Sequence, residues 1–225
     1  MVRGVIKNVS IALAFLRQSD ILFHMFKTVI FDFFDVIHTD PYKWWLIKRG
    51  QAREGSYLEA SQRMDRGEID VQRFFAHLGE LTGESARAIE EEMEAITKVD
   101  YEVLSIIDKL HAHNYRIGLL SNAPSDFIRD IFKQHDLEKY FDTIIISSEV
   151  GFIKPEPEIF HHILKQMDVS ANETIFIDDN PHNVDAAEKV GIRSLLFTSA
   201  QTLQIDLNEL DIITGNNSWI TDTKS

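Results

Sequence analysis

The feature that most constrains this chain is a regular alternation of apolar strands and amphipathic helices from Tyr101 onward. The strand patterns are RIGLLS, TIIISS, TIFID and RSLLFTS, separated by helical patterns such as SDFIRDIFKQHDL and PEIFHHILKQM. Near-continuous apolar strands joined by helices are typical of a parallel sheet covered on both faces. We therefore predict an α/β fold, with a Rossmann-like, three-layer α/β/α parallel sheet.

One segment interrupts the alternation. Residues 42–99 have helical patterns and no convincing strand, with breaks at Gly67 and Gly83. This segment follows the first strand, TVIF, and the loop at its carboxyl end. We therefore expect a small helical cap domain inserted into the core, placed where it can act as a lid. The core is then expected over residues 25–41 and 100–212, an N-terminal extension over residues 1–24, and a tail over residues 213–225.

The N-terminal extension contains a short apolar run, VSIALAFL. Arg17, Gln18 and Asp20 follow it where a cleavage site for export would need small residues. The run is also shorter than the roughly 20 residues of a membrane helix. We expect a cytoplasmic protein without stable membrane insertion, in which this segment is a peripheral helix or precedes a functional start near Met25.

Charge and cysteine content exclude several classes of function. The 225 residues include 36 acidic and 23 basic side chains, and the formal net charge is -13. With no Lys/Arg-rich block, nucleic acid is not an expected partner. The chain has no cysteine, so disulfides, thiol nucleophiles and cysteine-bound zinc are excluded. The sequence leaves monomer and homodimer open.

Polar residues follow four of the predicted strands at the point where each strand ends. The carboxyl ends of parallel strands lie at one edge of a sheet, where open α/β folds bind their ligands. Side chains that are far apart in sequence are therefore expected to meet there: Asp32, Asp35, Ser121, Asn122, Lys154, Asp178 and Asp179.

This combination of side chains suits phosphoryl transfer. A carboxylate can attack phosphorus and form an aspartyl-phosphate, which divides hydrolysis into two easier steps. Since the carboxylate repels the phosphate dianion, a divalent cation and fixed donors are needed. Asp32 and Asp179 offer the oxygen ligands that Mg²⁺ prefers, and Ser121, Asn122 and Lys154 offer donors.

At these residues the chain resembles the haloacid dehalogenase superfamily, subfamily I, with a helical C1-type cap similar to those of sugar-phosphatase-like members. VIFDFFDVI, IGLLSNA, GFIKPEPEIF and TIFIDDNPHNVDAAEKVGI are similar to the four family motifs, in order. The resemblance implies a Mg²⁺-dependent phosphatase acting on a small phosphorylated metabolite through an aspartyl-phosphate.

The resemblance also implies residue roles. Asp32 is the expected nucleophile and a metal ligand, together with the backbone carbonyl of Phe34 and with Asp179. Ser121 and Asn122 are expected to bind the phosphoryl group, and Lys154 to neutralise nucleophile and phosphate. Asp178 is expected to orient Lys154 or a metal-bound water, supported by Asn183.

The chain departs from the family at Phe34, where most phosphatases of the superfamily have an aspartate that acts as general acid and base. Such a group is typically worth about 10² to 10⁴ in rate. Asp35, one residue later, either replaces it as a catalytic group or holds a turn through its side chain. His38 is a second possible proton carrier or a solvated loop residue. We predict faster hydrolysis of acyl or aryl phosphates, which have good leaving groups, than of sugar phosphates.

An aromatic residue at the Phe34 position is similar to the dehalogenases of the superfamily, so a 2-haloacid dehalogenase-like hydrolase is an alternative. The acidic pair of Asp178 and Asp179 favours a metal-dependent phosphatase, because clustered carboxylates need a cation. A weakly active protein that binds a phosphorylated ligand or a partner is the third hypothesis.

Overall fold

The computed structural model describes residues 26–213, so the expected N-terminal extension and almost all of the expected tail lie outside the described residues. A five-stranded sheet forms the centre of this part of the chain. Its strands are β1 (Thr28–Phe31), β2 (Arg116–Ser121), β3 (Thr143–Ile146), β4 (Thr174–Asp178) and β5 (Arg193–Leu196). Their spatial order is β3-β2-β1-β4-β5, and every neighbouring pair is parallel.

Helices cover both faces of the sheet, which confirms the predicted three-layer α/β/α architecture. One layer holds α5 (Tyr101–Ala112), α6 (Ser125–His135) and α10 (Ala200–Glu209), and the other holds α8 (Pro157–Met167) and α9 (Pro181–Val190). Because side chains alternate along a strand, Val29 and Phe31 pack into the first layer and Ile30 into the second. The short helix α7 (Ser147–Val150) follows β3 directly.

Four helices lie between β1 and α5, in the segment where the sequence predicts a cap. They are α1 (Pro41–Lys48), α2 (Gly55–Asp65), α3 (Val71–Thr82) and α4 (Ala86–Glu94). Helix α3 begins where the Asp70 side chain accepts from the Arg73 N–H and ends at Gly83, whose φ of 79° suits glycine. These helices bury their own apolar cluster around Trp45, Phe74, Leu78 and Ile89.

The end of α2 is attached to the core loop that follows β3. The Ser147 hydroxyl donates to the Asp65 carbonyl over 2.5 Å, and the Arg66 guanidinium pairs with Glu156. A Cβ at Gly67 would lie 2.7 Å from the Ser148 carbonyl oxygen, so only glycine permits this close approach. The cap segment is therefore held over the carboxyl edge of the sheet. In residues 26–213 no helix has the length and apolar character needed to cross a bilayer.

Candidate active site

The site is centred on a buried lysine between two carboxylates. Lys154 Nζ lies 2.6 Å from Asp32 Oδ1 and 2.7 Å from Asp178 Oδ2. Burial raises the pKa of Asp32, and Asp178 raises it further, while Lys154 lowers it. Burial alone would lower the pKa of Lys154, but Asp178 and Asp32 raise it. Lys154 therefore stays an ammonium that holds both carboxylates at short distance.

Asp178 is fixed from a second side. The Asn183 amide, at the start of α9, donates to both Asp178 oxygens over 3.0 Å, and the Asn180 N–H donates over 2.8 Å. With Lys154, this gives the carboxylate donors on both oxygens. Asp178 can therefore orient Lys154, one of the two roles that the sequence predicts for it, and Asn183 contacts Asp178 directly.

Three carboxylates come together at this edge. Asp32, Asp178 and Asp179 each offer an oxygen, and these oxygens lie within 4.8 Å of one another. Burial raises the pKa of Asp179, and Lys43 Nζ, 3.0 Å away, lowers it. Three carboxylates offer only oxygen ligands, and such a set suits a hard divalent cation such as Mg²⁺. Asp178 joins this cluster, although the sequence predicts only Asp32, Asp179 and the Phe34 carbonyl as ligands.

The end of β2 supplies Ser121 and Asn122. Ser121 is fully buried, and its hydroxyl has no hydrogen-bond partner among the described residues. A buried hydroxyl without a partner is costly, so it is suited to a polar ligand. The Asn122 amide donates to the Lys154 carbonyl over 2.9 Å and accepts from the Lys154 N–H over 2.8 Å. Asn122 thus fixes the loop that presents the lysine.

In the turn after β1, the side chains of Phe34 and Asp35 have different surroundings. Asp35 has a φ of 55°; one of its oxygens accepts from the Asp40 N–H over 2.9 Å and the other lies 2.5 Å from Lys43 Nζ. Because both carboxylate oxygens of Asp35 have partners, its contacts are those expected of a residue that holds a turn. Asp35 and His38 line a cavity separate from the one that contains Asp32.

The cap contributes charged groups that the sequence does not point to. A cavity of about 280 Å³ contains Asp32 and Lys154, and it is also lined by Arg53 and Asp65 of the cap segment and by Asp40, which precedes α1. Arg53 lies 2.5 Å from Asp40 Oδ2, and its guanidinium stacks on the Tyr42 ring at 4.8 Å. Helical periodicity predicts a helix such as α2 but not which of its polar side chains faces the sheet. In the sequence, Gly67 after α2 is an indication that this end of the helix approaches the core closely.

A parallel α/β sheet with a lysine, a lone carboxylate and an acidic pair at its carboxyl edge, beneath a helical insert, defines a class of capped hydrolases. The profile of the haloacid dehalogenase-like hydrolases matches residues 55–197, and the chain belongs to this family of hydrolases. The match starts after the β1 turn that contains Phe34.

Two curated relatives align over most of their length. The sesquiterpene phosphatase astK of Aspergillus oryzae is 29% identical over 189 residues, covering 82% of this chain and 96% of that protein. The D-ribitol-5-phosphate phosphatase of Bacteroides thetaiotaomicron is 28% identical over 190 residues, covering 76% and 91%. The similarity to these two phosphatases therefore spans cap and core together.

Solved structures share the fold. A HAD family enzyme from Bacteroides thetaiotaomicron, in complex with magnesium and inorganic phosphate, has a TM-score of 0.62 and 24% identity, covering 77% of this chain and 94% of that one. A HAD-like hydrolase from Porphyromonas gingivalis has a TM-score of 0.66 and 22% identity, covering 83% and 98%.

Proposed function

We propose that this hydrolase is a Mg²⁺-dependent phosphatase of the cytoplasm that hydrolyses a small phosphate monoester through an aspartyl-phosphate on Asp32. The observation that supports this most directly is the position of Asp32, which lies against Lys154 and within the cluster of Asp178 and Asp179. The two similar curated proteins are phosphatases, and one structural neighbour binds magnesium and phosphate.

Asp32 has one oxygen bonded and one available. Oδ1 accepts from the Phe33 N–H over 2.6 Å and from Lys154. No hydrogen bond from the described part of the chain reaches Oδ2. We assign the attack on phosphorus to Asp32, whose orientation is set through Oδ1, and charge neutralisation to Lys154.

The remaining donors bind the phosphoryl group. The Ser121 hydroxyl, buried and unpartnered within residues 26–213, would donate to a phosphate oxygen. Asp32, Asp179 and the Phe34 carbonyl would hold Mg²⁺, with Asp178 beside them. When bound, the cation offsets the repulsion between carboxylates and phosphate and polarises the phosphoryl oxygens. Asn122 keeps Lys154 in place.

The dehalogenase alternative is less well supported. A dehalogenase structure shares the fold with a TM-score of 0.62, but at 16% identity this likeness concerns the fold alone. Asp178 and Asp179, with Asp32, form an anionic cluster that suits a cation, which a halide-displacing site does not need. A binding protein without turnover would have no use for a nucleophilic carboxylate beside Lys154 and this cluster.

Phosphate release tests the proposal. With acetyl phosphate and with alkyl phosphates, we expect release with Mg²⁺ and loss of release with chelator. Asp32→Asn is expected to abolish release while it still folds, and Asp130→Asn, on the exposed face of α6, to leave it unchanged. Release that survives in Asp32→Asn, or chloride release from a 2-chloroacid without metal, would reject the proposal.

The Phe34 substitution predicts an order of substrates. Acetyl phosphate, whose leaving group needs no proton, is expected to turn over faster than a sugar phosphate. The substrates of the two relatives, a sesquiterpene compound and D-ribitol 5-phosphate, differ greatly in polarity. Their names therefore do not decide which alcohol this chain releases.

A further inference from the structure

A second cavity adjoins the one that contains Asp32. It has a volume of about 110 Å³ and lies between cap and core. Phe34, Asn122 and Asp65 line both cavities, so the second is continuous with the phosphate end of the site. Most of its other lining side chains are apolar, among them Tyr42, Met64, Phe74, Phe75 and Phe127; the polar ones are Asp40, Arg53, Ser61, Glu90 and Glu94.

Phe34 is part of this apolar wall. Its ring lies 6.1 Å from the Phe127 ring in a stacked arrangement, and 5.3 Å from Phe33 in an edge contact. Phe33 and Phe34 follow β1 and Phe127 lies in α6, so this part of the wall consists of aromatic rings, which offer hydroxyl groups no carboxylate or amide partner.

We propose that the second cavity binds the leaving group and that the substrate is the phosphate monoester of an apolar alcohol. The inference rests on the proposed phosphatase function. A cavity of 150 Å³ lined by apolar side chains holds benzene, so one of about 110 Å³ suits a branched hydrocarbon group of roughly five carbons next to the ester oxygen. Over the aromatic part of these walls a sugar or polyol would lose hydrogen bonds to water without gaining others.

A matched pair of substrates tests this. 3-Methylbutyl phosphate and sn-glycerol 3-phosphate are both esters of primary alcohols and differ mainly in the polarity of the leaving group. We expect kcat/KM for 3-methylbutyl phosphate to exceed that for sn-glycerol 3-phosphate at least tenfold, with acetyl phosphate as the reference for the phosphate end of the site.

Variants place the preference in this cavity. Phe127→Ala, on the core side, and Phe75→Ala, on the cap side, are each expected to lower kcat/KM for 3-methylbutyl phosphate about tenfold and to leave that for acetyl phosphate nearly unchanged. Phe152→Ala is the control, since Phe152 is 40% exposed and lines neither cavity.

The outcomes distinguish failure of the apolar substrate from failure of the phosphatase activity itself. Equal or faster turnover of sn-glycerol 3-phosphate, with acetyl phosphate still hydrolysed, would overturn the apolar substrate and leave the phosphatase in place. No Mg²⁺-dependent release from any of the three compounds would overturn both.

A different observation concerns the missing general acid. Asp65, at the end of α2, lines both cavities, and no hydrogen bond or ion pair from residues 26–213 reaches its carboxyl group. Its backbone is fixed to the core through Ser147. Burial raises the pKa of Asp65 to about 7, with Arg53 and Lys154 lowering it and Asp40 raising it.

We infer that Asp65 is the catalytic acid and base in place of the residue that Phe34 replaces. In the first half-reaction a bond forms between Asp32 and phosphorus, the ester bond breaks, and its electron pair leaves on the ester oxygen, which takes the proton of the Asp65 carboxyl. In the second half-reaction the Asp65 carboxylate takes a proton from water as the water oxygen bonds to phosphorus. The bond to Asp32 then breaks, and phosphate is released.

The dependence on leaving group distinguishes this role from a structural one. With whichever alkyl phosphate is turned over faster, Asp65→Asn is expected to lower kcat about 10²-fold. With acetyl phosphate, whose acetate leaving group needs no proton, formation of the aspartyl-phosphate in single-turnover experiments is expected to change less than twofold. Glu68→Gln, an exposed substitution in the same segment, is the control.

The pH profile provides a second readout. For wild-type protein, kcat with the alkyl phosphate is expected to fall above about pH 7, and this fall is expected to be absent in Asp65→Asn. Equal losses with both substrates, or an unchanged pH profile, would overturn the assignment of Asp65. If wild type hydrolyses none of the three compounds, the proposed function fails with it.

Discussion

The two sides of the active site satisfy their charges differently. On the core side, Lys154 bonds both Asp32 and Asp178, and Asn183 bonds Asp178 again. On the cap side, Asp65 has no such bond from the described residues and lies beside an aromatic cavity. The core side thus presents fixed charges, to which we assign phosphate binding, and the cap side presents a largely apolar cavity, to which we assign the leaving group. The difference suggests that reaction type and substrate choice are carried by separate parts of the chain.

The strongest test of the core side is to remove its lysine. Lys154→Met leaves Asp32 and Asp178 buried without their shared cation, which typically costs about 3–5 kcal/mol when a buried pair is broken. We expect hydrolysis of acetyl phosphate to fall at least 10³-fold and the melting temperature to fall by about 10 °C. Phosphate release and thermal unfolding measure the two effects.

Lys165→Met is the matched control for that variant. Lys165 is exposed on α8, so the same change of side chain there is expected to alter neither quantity. If Lys154→Met keeps wild-type activity and stability, then the ion pairs at the centre of the site contribute little, and the contrast between core and cap is lost.

The second test supplies an acid from the core side. In an Asp65→Asn background, adding Phe34→Asp is expected to restore at least tenfold of the lost rate with sn-glycerol 3-phosphate, because a carboxyl at this position can serve the leaving group. It is also expected to weaken the preference for 3-methylbutyl phosphate, since the apolar wall loses an aromatic ring. Adding Phe34→Asn instead alters the wall without supplying a proton, so a similar gain from it would contradict the explanation.

The core half of the site could be predicted from sequence because residues at the strand ends meet at one edge of a parallel sheet, whatever the order of the strands. Asp32, Ser121 and Asp178 each end a strand or follow one directly, and any parallel sheet brings such residues to one edge. The sheet with helices on both faces was predicted for the same reason and is confirmed. Lys154 does not follow a strand directly. It reaches Asp178 because Asn122 bonds the backbone of the loop that contains the lysine.

The cap half could not be predicted in the same way. Helical periodicity gives the buried stripe of α2 but not the angle at which α2 meets the sheet, and that angle decides whether Asp65 faces the site. It depends on tertiary contacts of Ser147, Arg66 and Gly67 with residues far along the chain. Likewise, the sequence shows at Phe34 only that the usual aspartate is missing, and the contact of its ring with Phe127 becomes visible only in the structure.

A third test uses stability instead of activity. Because burial raises the folded-state pKa of Asp65 to about 7, the folded protein binds this proton more tightly than the unfolded chain does. Its contribution to stability is therefore present at acid pH and lost as the pH rises from about 4 to about 7. Asp65→Asn does not titrate, so its melting temperature is expected to exceed that of wild type by a few degrees at pH 8, and the gain to shrink at pH 5. A gain that does not change with pH would show that Asp65 is solvated.

The smallest expected effect lies where cap and core charges meet. Lys43, from α1, lies 3.0 Å from Asp179 and 2.5 Å from Asp35, so its ammonium would compete with the proposed Mg²⁺ for the Asp179 carboxylate. Since Lys43 is partly exposed, this competition is worth little, as for other exposed pairs. We expect Lys43→Met to lower the Mg²⁺ concentration for half-maximal phosphate release about two- to fivefold, more at low salt than at high salt. Lys98→Met makes the same change in net charge at an exposed position away from Asp179 and is expected to have a smaller effect. An equal effect of both variants would mean that Mg²⁺ responds to overall charge, and that the cap does not compete for the metal ligands of the core.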